Sequence, residues 1–215
     1  MKTISLQDAV AMIPDGASLM IGGFMGVGTP ERVIDELVRQ GKRNLTVIAN
    51  DNALPGIGIG KLVSAGLIRN TIASHIGLNP ETQKKMLAGE MQVDLVPQGT
   101  LIERIRAGGF GLGGILTPTG VGTVVEQGKQ RIEVDGKAFL LETALRADFA
   151  LVQAFLADYM GNLQYALTAR NFNPVIAMAV DKVIVEAENI VPVGVIGPDQ
   201  VMTPAPIVDY LIAQE

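Results

Sequence analysis

Between an apolar run ending at Ile21 and a helix signal at Glu31, the chain reads Gly22-Gly23-Phe24-Met25-Gly26-Val27-Gly28-Thr29-Pro30. Glycines let a backbone approach a ligand closely. A helix that opens just after such a loop offers unpaired N–H groups and the positive end of its dipole. The chemistry this allows is the binding of a phosphate or of an oxygen that develops negative charge. The same glycines also suit a strand-to-helix turn that needs only sharp geometry, so the loop has two readings. Two amides stand just after strands, where ligand-binding groups gather in open α/β sheets. They are Asn50, in Asn50-Asp51-Asn52, and Gln98, in Pro97-Gln98-Gly99. Each is either a hydrogen-bonding group for a ligand or a turn-bonding amide.

Other reactive classes are missing or poorly placed. With no cysteine, the chain has no thiolate nucleophile, no disulfide and no Cys-ligated metal. The one histidine, His75, lies in an apolar run, where a packed, hydrogen-bonded imidazole is expected. A His-rich metal site is impossible, and no metal is expected. No pair of carboxylates reads as a site, because most acids fall in the first turns of helices or on polar faces. Gly109-Phe110-Gly111-Leu112-Gly113-Gly114 fits G-x-G-x-x-G, but a dinucleotide loop must follow a strand and open a helix. Here it follows a helix signal and precedes Ile115-Leu116-Thr117-Pro118. Nicotinamide or flavin binding is therefore not expected.

The elements that must position these groups alternate in type. Ser5, with Asp8 three residues on, caps a helix whose apolar stripe is Ala9, Val10, Met12 and Ile13. Pro14-Asp15-Gly16 ends it as a turn, and Ala17 to Ile21 reads as a buried strand. Thr29 as N-cap, Pro30 in the first helical position and Glu31 in the first turn open a helix that stops at Gly41. Leu45 to Ala49, Thr71 to Ile76 and Val93 to Val96 read as strands. Helices are expected from Asn79-Pro80-Glu81 to Gly89 and from Thr100 to about Ala107. The second half is richer in strands: Arg131 to Val134 and Lys137 to Leu141 about an Asp135-Gly136 hairpin turn, then Phe149 to Ala154 and Lys182 to Ala187. Ile207 to Ile212 reads as a short closing helix. The fold expected is α/β: an open, mostly parallel sheet with flanking helices, as one domain over residues 1–215.

Composition narrows the partners. The 215 residues carry a net charge of −5, which argues against nucleic acid, because a duplex binder needs a basic patch. No stretch approaches the roughly 18 to 20 apolar residues of a membrane span. The first residues lack the apolar core of a signal peptide, so a cytoplasmic location is expected. The mean hydropathy is nonetheless positive, at +0.33, which fits apolar surface covered by a partner chain.

Asp15-Gly16, Leu19-Met20-Ile21, Gly22-Gly23-Phe24 and Gly28-Thr29-Pro30 fill every position of a sixteen-residue pattern. It resembles the signature of family I (3-oxoacid) CoA-transferases. The resemblance continues through Ala73 to Gly77, Pro97 to Leu101, Arg104 to Gly109, Thr117 to Gly120, and Ala169-Arg170-Asn171-Phe172-Asn173-Pro174. It covers nearly the whole chain and is nearest to the α (A) subunits of the acetate/acetoacetate enzymes. It implies a CoA-transferase or ribose-isomerase-like scaffold. It also implies that Phe24, Met25, Gly26, Val27, Gly28, Thr29 and Pro30 line the CoA site, and that Asn50 and Gln98 lie near the acyl or carboxylate group. Relatives often carry Asn-Asp-Thr where this chain has Asn50-Asp51-Asn52. CoA is then a substrate, together with a short-chain carboxylate, and no further cofactor is implied. In the family the nucleophile is the glutamate of a Glu-Asn-Gly motif on the β subunit. This chain has no Glu-Asn-Gly; its one Glu-Asn, Glu188-Asn189, is followed by Ile190. No catalytic nucleophile is assigned here, and activity is expected only with a β partner. The rival reading is a non-catalytic regulatory domain on the same scaffold, binding CoA or a sugar phosphate.

Overall fold

The computed structural model describes residues 2–213; Met1, Gln214 and Glu215 lie outside the described residues. In chain order the elements are β1 (Lys2–Ile4), α1 (Leu6–Ala11), β2 (Ser18–Ile21), α2 (Glu31–Gln40), β3 (Leu45–Asp51), α3 (Ile59–Ser64), β4 (Ile68–His75), α4 (Pro80–Leu87), β5 (Gln92–Leu95) and α5 (Gln98–Gly109). There follow β6 (Gly114–Thr117), β7 (Arg131–Val134), β8 (Lys137–Thr143), β9 (Ala147–Asp158), β10 (Leu163–Gln164), α6 (Asn173–Ile176), β11 (Val180–Val191) and β12 (Tyr210–Ile212).

The main sheet has the order β1-β12-β11-β9-β2-β3-β4-β5, and β10 adds to β9. Every pair is parallel except β9 with β10. Its central strands are buried on both faces and read as continuous apolar runs. One face packs Leu101 and Ile105 of α5 and Val175 and Ile176 of α6 on Met20, Ile48, Val152 and Val185. The other packs Val10 of α1, Val33, Ile34 and Leu37 of α2 and Leu62 of α3 on Leu19, Val47, Leu151 and Ile184. The open, mostly parallel α/β architecture expected from the alternating pattern is therefore present.

A second, three-stranded antiparallel sheet, β6-β8-β7, stands apart from the main one. It contains the expected hairpin, with Asp135 and Gly136 both at positive φ, 50° and 71°. The carboxylate of Glu142, 2 % exposed, ties it down by meeting Lys129 and, at 3.8 Å, Arg104 of α5.

Several local expectations are corrected. Ile207 to Ile212 is not a helix: a short 3-10 turn leads into β12, which lies between β1 and β11. Pairing with strands on both sides outweighs the ambiguous period of that run. Helix α5 begins at Gln98, so Gln98 is helical rather than a loop residue, and Thr100 lies inside the first turn instead of capping it.

The strand order reverses between β2 and β9. From β2 the chain continues to β3 on one side, and from β9 it continues to β11 on the other. Ligand crevices in open sheets form at such a switch point, beyond the carboxyl ends of the strands. The glycine loop after β2 lies there.

Candidate functional site

The loop after β2 is a small hairpin. Phe24 and Val27 exchange backbone hydrogen bonds, Phe24 N–H to Val27 O at 3.0 Å and Val27 N–H to Phe24 O at 2.9 Å. Between them Met25 and Gly26 both have positive φ, 52° and 88°, as a two-residue turn of type I′ requires. The tip is apolar and open to solvent, with Val27 55 % exposed. The N–H groups of Gly23, Gly26 and Gly28 meet no acceptor among the described residues. They are the donors this loop can offer a ligand.

The start of α2 differs from the sequence reading. Thr29 is not the N-cap. Its hydroxyl donates back to Gly22 O at 3.0 Å, and Pro30 holds the cap position. The N–H groups of Arg32 and Val33 donate to the Glu186 carboxylate of β11 at 3.3 and 3.0 Å. Burial pushes the Glu186 carboxyl above its ordinary range, and those two N–H groups work against that rise. The anion at this helix end is therefore an internal carboxylate 154 residues away from Arg32 in the chain. The amides this loop leaves unpaired are therefore those of its glycines rather than those of the helix terminus.

Asn173 fixes the loop from below. It is fully buried, its Oδ1 accepts from Gln153 N–H at 3.1 Å, and its Nδ2 donates to Gly28 O and Ala169 O, both at 2.9 Å. A Cβ on Gly28 would come within 2.7 Å of the Ala169 Cβ. The Ala169 to Pro174 motif is thus the seat on which the glycine loop rests.

From the other side Asp51, the last residue of β3, braces the hairpin. Its carboxylate accepts Met25 N–H at 3.1 and 3.2 Å and Ala53 N–H at 3.1 Å. Burial raises its pKa against the opposing pull of those amides.

The two amides singled out in the sequence do meet. Gln98 Nε2 donates to Asn50 Oδ1 at 2.8 Å, and the Ser74 hydroxyl is shared between Asn50 O at 2.7 Å and Asn50 Oδ1 at 3.0 Å. Asn50 is 0 % exposed, yet its Nδ2 has no partner among the described residues. Gln98 and Phe24 share a cleft of about 420 Å³ with Thr168, Arg170 and Asn171. A second cleft of about 470 Å³ adjoins it across Arg170 and Asn171 and is lined by Phe110 of the glycine run after α5. That run joins a helix to β6, the reverse of a dinucleotide loop. No ion pair among the described residues involves Arg170, so its guanidinium remains available to an anion. His75, expected to be packed, is instead exposed at the end of β4.

Of the predicted positions, Phe24 and Gln98 line one cleft, and Asn50 joins it through Gln98. Met25 to Pro30 form the hairpin and its footing. Asp51, Asn173 and Arg170 were not singled out by sequence reasoning, although all three sit in motifs that were.

Among the described residues, no helix is long and apolar enough to cross a membrane, and no cluster of His, Asp and Glu is arranged to hold a metal ion. The coenzyme A transferase family model matches residues 3–214. The acetate CoA-transferase subunit alpha of Escherichia coli (strain K12) is 55 % identical over 100 % of this chain and 97 % of its own length. The acetoacetyl-CoA:acetate/butyrate CoA transferase alpha subunit of Clostridium acetobutylicum is 47 % identical over 99 % and 98 %. Among solved structures, an acyl-CoA transferase from E. coli O157:H7 in a thioester complex with CoA superposes with a TM-score of 0.85 at 26 % identity. That comparison covers 99 % of this chain but 47 % of the other, so the chain spans about half of that enzyme. Those two relatives are named as alpha subunits, and the chain belongs to the coenzyme A transferase family.

Proposed function

We propose that this chain is the α subunit of a heteromeric CoA-transferase that moves CoA between a short-chain acyl-CoA and a carboxylic acid of the acetate/acetoacetate class. The observation that carries the reading is a cleft with hydrogen-bond donors but no carboxylate. Phe24, Gln98, Thr168, Arg170 and Asn171 line it, and none is a carboxylate. A glutamate from a β subunit completes it.

The chemistry is covalent and ping-pong. The partner's glutamate attacks the thioester carbonyl, and the CoA thiolate leaves to give a mixed anhydride. The thiolate then attacks the glutamyl carbonyl and releases the first carboxylate. A second carboxylate attacks the glutamyl-CoA thioester, and the steps reverse. Each attack places negative charge on a carbonyl oxygen, which preorganised donors stabilise.

This chain's residues supply binding and orientation. The free N–H of the Gln98 amide, held in place by Asn50, meets the carboxylate or acyl oxygen, and Arg170 adds the cation. The hairpin 24–27, with the unpaired amides of Gly23, Gly26 and Gly28, faces CoA, whose remote contacts drive the chemistry at the thioester. The exposed apolar tip of the hairpin, and exposed Tyr159, Met160, Val193 and Val195 beyond β9 and β11, provide surface for the partner to cover.

The test is CoA transfer from acetoacetyl-CoA to acetate. Turnover is expected when the chain is mixed with its β subunit and not with the chain alone. Turnover by the chain alone contradicts the reading. CoA binding without turnover in the mixture favours a binding module on the same scaffold.

A further inference from the structure

Residues near the end of β3 point to opposite faces, as alternation demands. Ile48 belongs to the core under α5 and Ala49 to the core under α2. Continuing that alternation, Asn50 turns to Ser74 and Gln98, while Asp51 turns to the hairpin. Asp51 is 3 % exposed, and the partners its carboxylate finds are backbone amides. Both oxygens lie within 3.2 Å of Met25 N, and Oδ2 also accepts from Ala53 at 3.1 Å. Both donors are non-glycine residues at φ 52°, a left-handed conformation that carries strain unless its surroundings hold it. A carboxylate, with acceptors and no donor, can hold two such amides at once without setting a donor against either.

We propose that Asp51 is a positioning residue for CoA: it fixes the Phe24–Val27 hairpin at the height from which it meets the coenzyme. The same strand end then sets both ligand contacts, the carboxylate side through Asn50 and the CoA side through Asp51. This rests on the reading of the hairpin as CoA-facing.

The isosteric Asp51→Asn places an NH2 group against Met25 N–H or Ala53 N–H. It thereby replaces an attraction with a donor–donor contact. Met25→Gly removes the strain that Asp51 restrains, because glycine adopts positive φ freely. The pair therefore forms a double-mutant cycle.

The experiment is calorimetric titration of free CoA into the assembled α/β complex, using wild type, Phe24→Ala, Asp51→Asn, Met25→Gly and Met25→Gly/Asp51→Asn. Asp51→Asn is expected to weaken CoA about tenfold in the wild-type background and less than about threefold in the Met25→Gly background. Phe24→Ala is expected to weaken CoA as well. If Phe24→Ala leaves CoA affinity unchanged, the CoA-facing reading falls and the proposal with it. If Phe24→Ala weakens CoA while Asp51→Asn does not, or does so equally in both backgrounds, only the proposal falls. Amide hydrogen exchange on the wild-type complex gives a readout that needs no variant. Met25 N–H is expected to be protected relative to the amides of Gly23, Gly26 and Gly28. Exchange of Met25 as fast as theirs overturns the proposal.

Discussion

Gly22→Ala is expected to abolish the active complex and to destabilise this chain by at least about 3 kcal/mol. A Cβ at position 22 would lie 1.8 Å from Asn173 Oδ1 and 2.4 Å from its Cγ. Asn173 cannot swing aside, because it is fully buried and bonded to Gln153, Gly28 and Ala169. Moving it leaves one buried N–H and two carbonyls without partners, each at a cost of about 1 to 3 kcal/mol. Either β2 or the seat of the glycine loop must shift. Urea denaturation and soluble yield measure the effect. A variant within about 0.5 kcal/mol of wild type would mean that the loop and Asn173 are not packed as described. The first glycine of the loop is thus required by a close approach of side chain to backbone, not by a left-handed φ.

Asn50→Asp is expected to lower kcat/KM for the carboxylate substrate by about 100-fold, with a smaller change in CoA affinity. Asn50 Oδ1 receives Ser74 and Gln98, whereas Nδ2 has no internal partner. Exchanging Nδ2 for an oxygen therefore breaks no hydrogen bond within the chain. It replaces the unpaired buried donor behind Gln98 with an oxygen and, on the proposed reading, sets a second negative charge near the substrate carboxylate. The loss should be smallest at acidic pH, where the introduced carboxyl is protonated and donates as the amide did, and should deepen as pH rises through its pKa. Initial rates of the α/β complex over a pH series, varying carboxylate and acyl-CoA separately, check both statements. An unchanged kcat/KM for the carboxylate would remove Asn50 from the site.

The local signals that the chain resolves correctly are those whose partners lie nearby in sequence. Ser5 accepts Asp8 N–H and Asn79 accepts Thr82 N–H as caps should, and Gly41 ends α2 in the left-handed conformation. The misread positions have distant partners. Thr29 has the right residue type for a cap, yet its hydroxyl serves Gly22, and Glu186 supplies the acceptor for the helix amides. β1 and β12 are three residues each and pair with one another from the two ends of the chain, so neither shows a period of its own. Helix α3 went unseen because its stretch is rich in glycine. Gly60 is needed there because a Cβ would fall 2.0 Å from Leu54 O.

The candidate site divides the same way. Its binding loop and both amides are visible as residue types after apolar runs. Asp51 and Asn173, which shape the loop, act through backbone contacts that residue types alone do not announce. The resemblance to a known signature points to the glycine loop; the tertiary hydrogen bonds show how that loop is held.

The central claim is that this chain builds one side of the transfer site while the reacting carboxylate comes from its partner. The most direct test is to expose the α/β complex to acyl-CoA with no added carboxylate, quench it, and locate the covalent CoA thioester by mass spectrometry of each chain. A CoA adduct is expected on a glutamate of the β subunit and none on this chain. A CoA thioester on any carboxylate of this chain would contradict it.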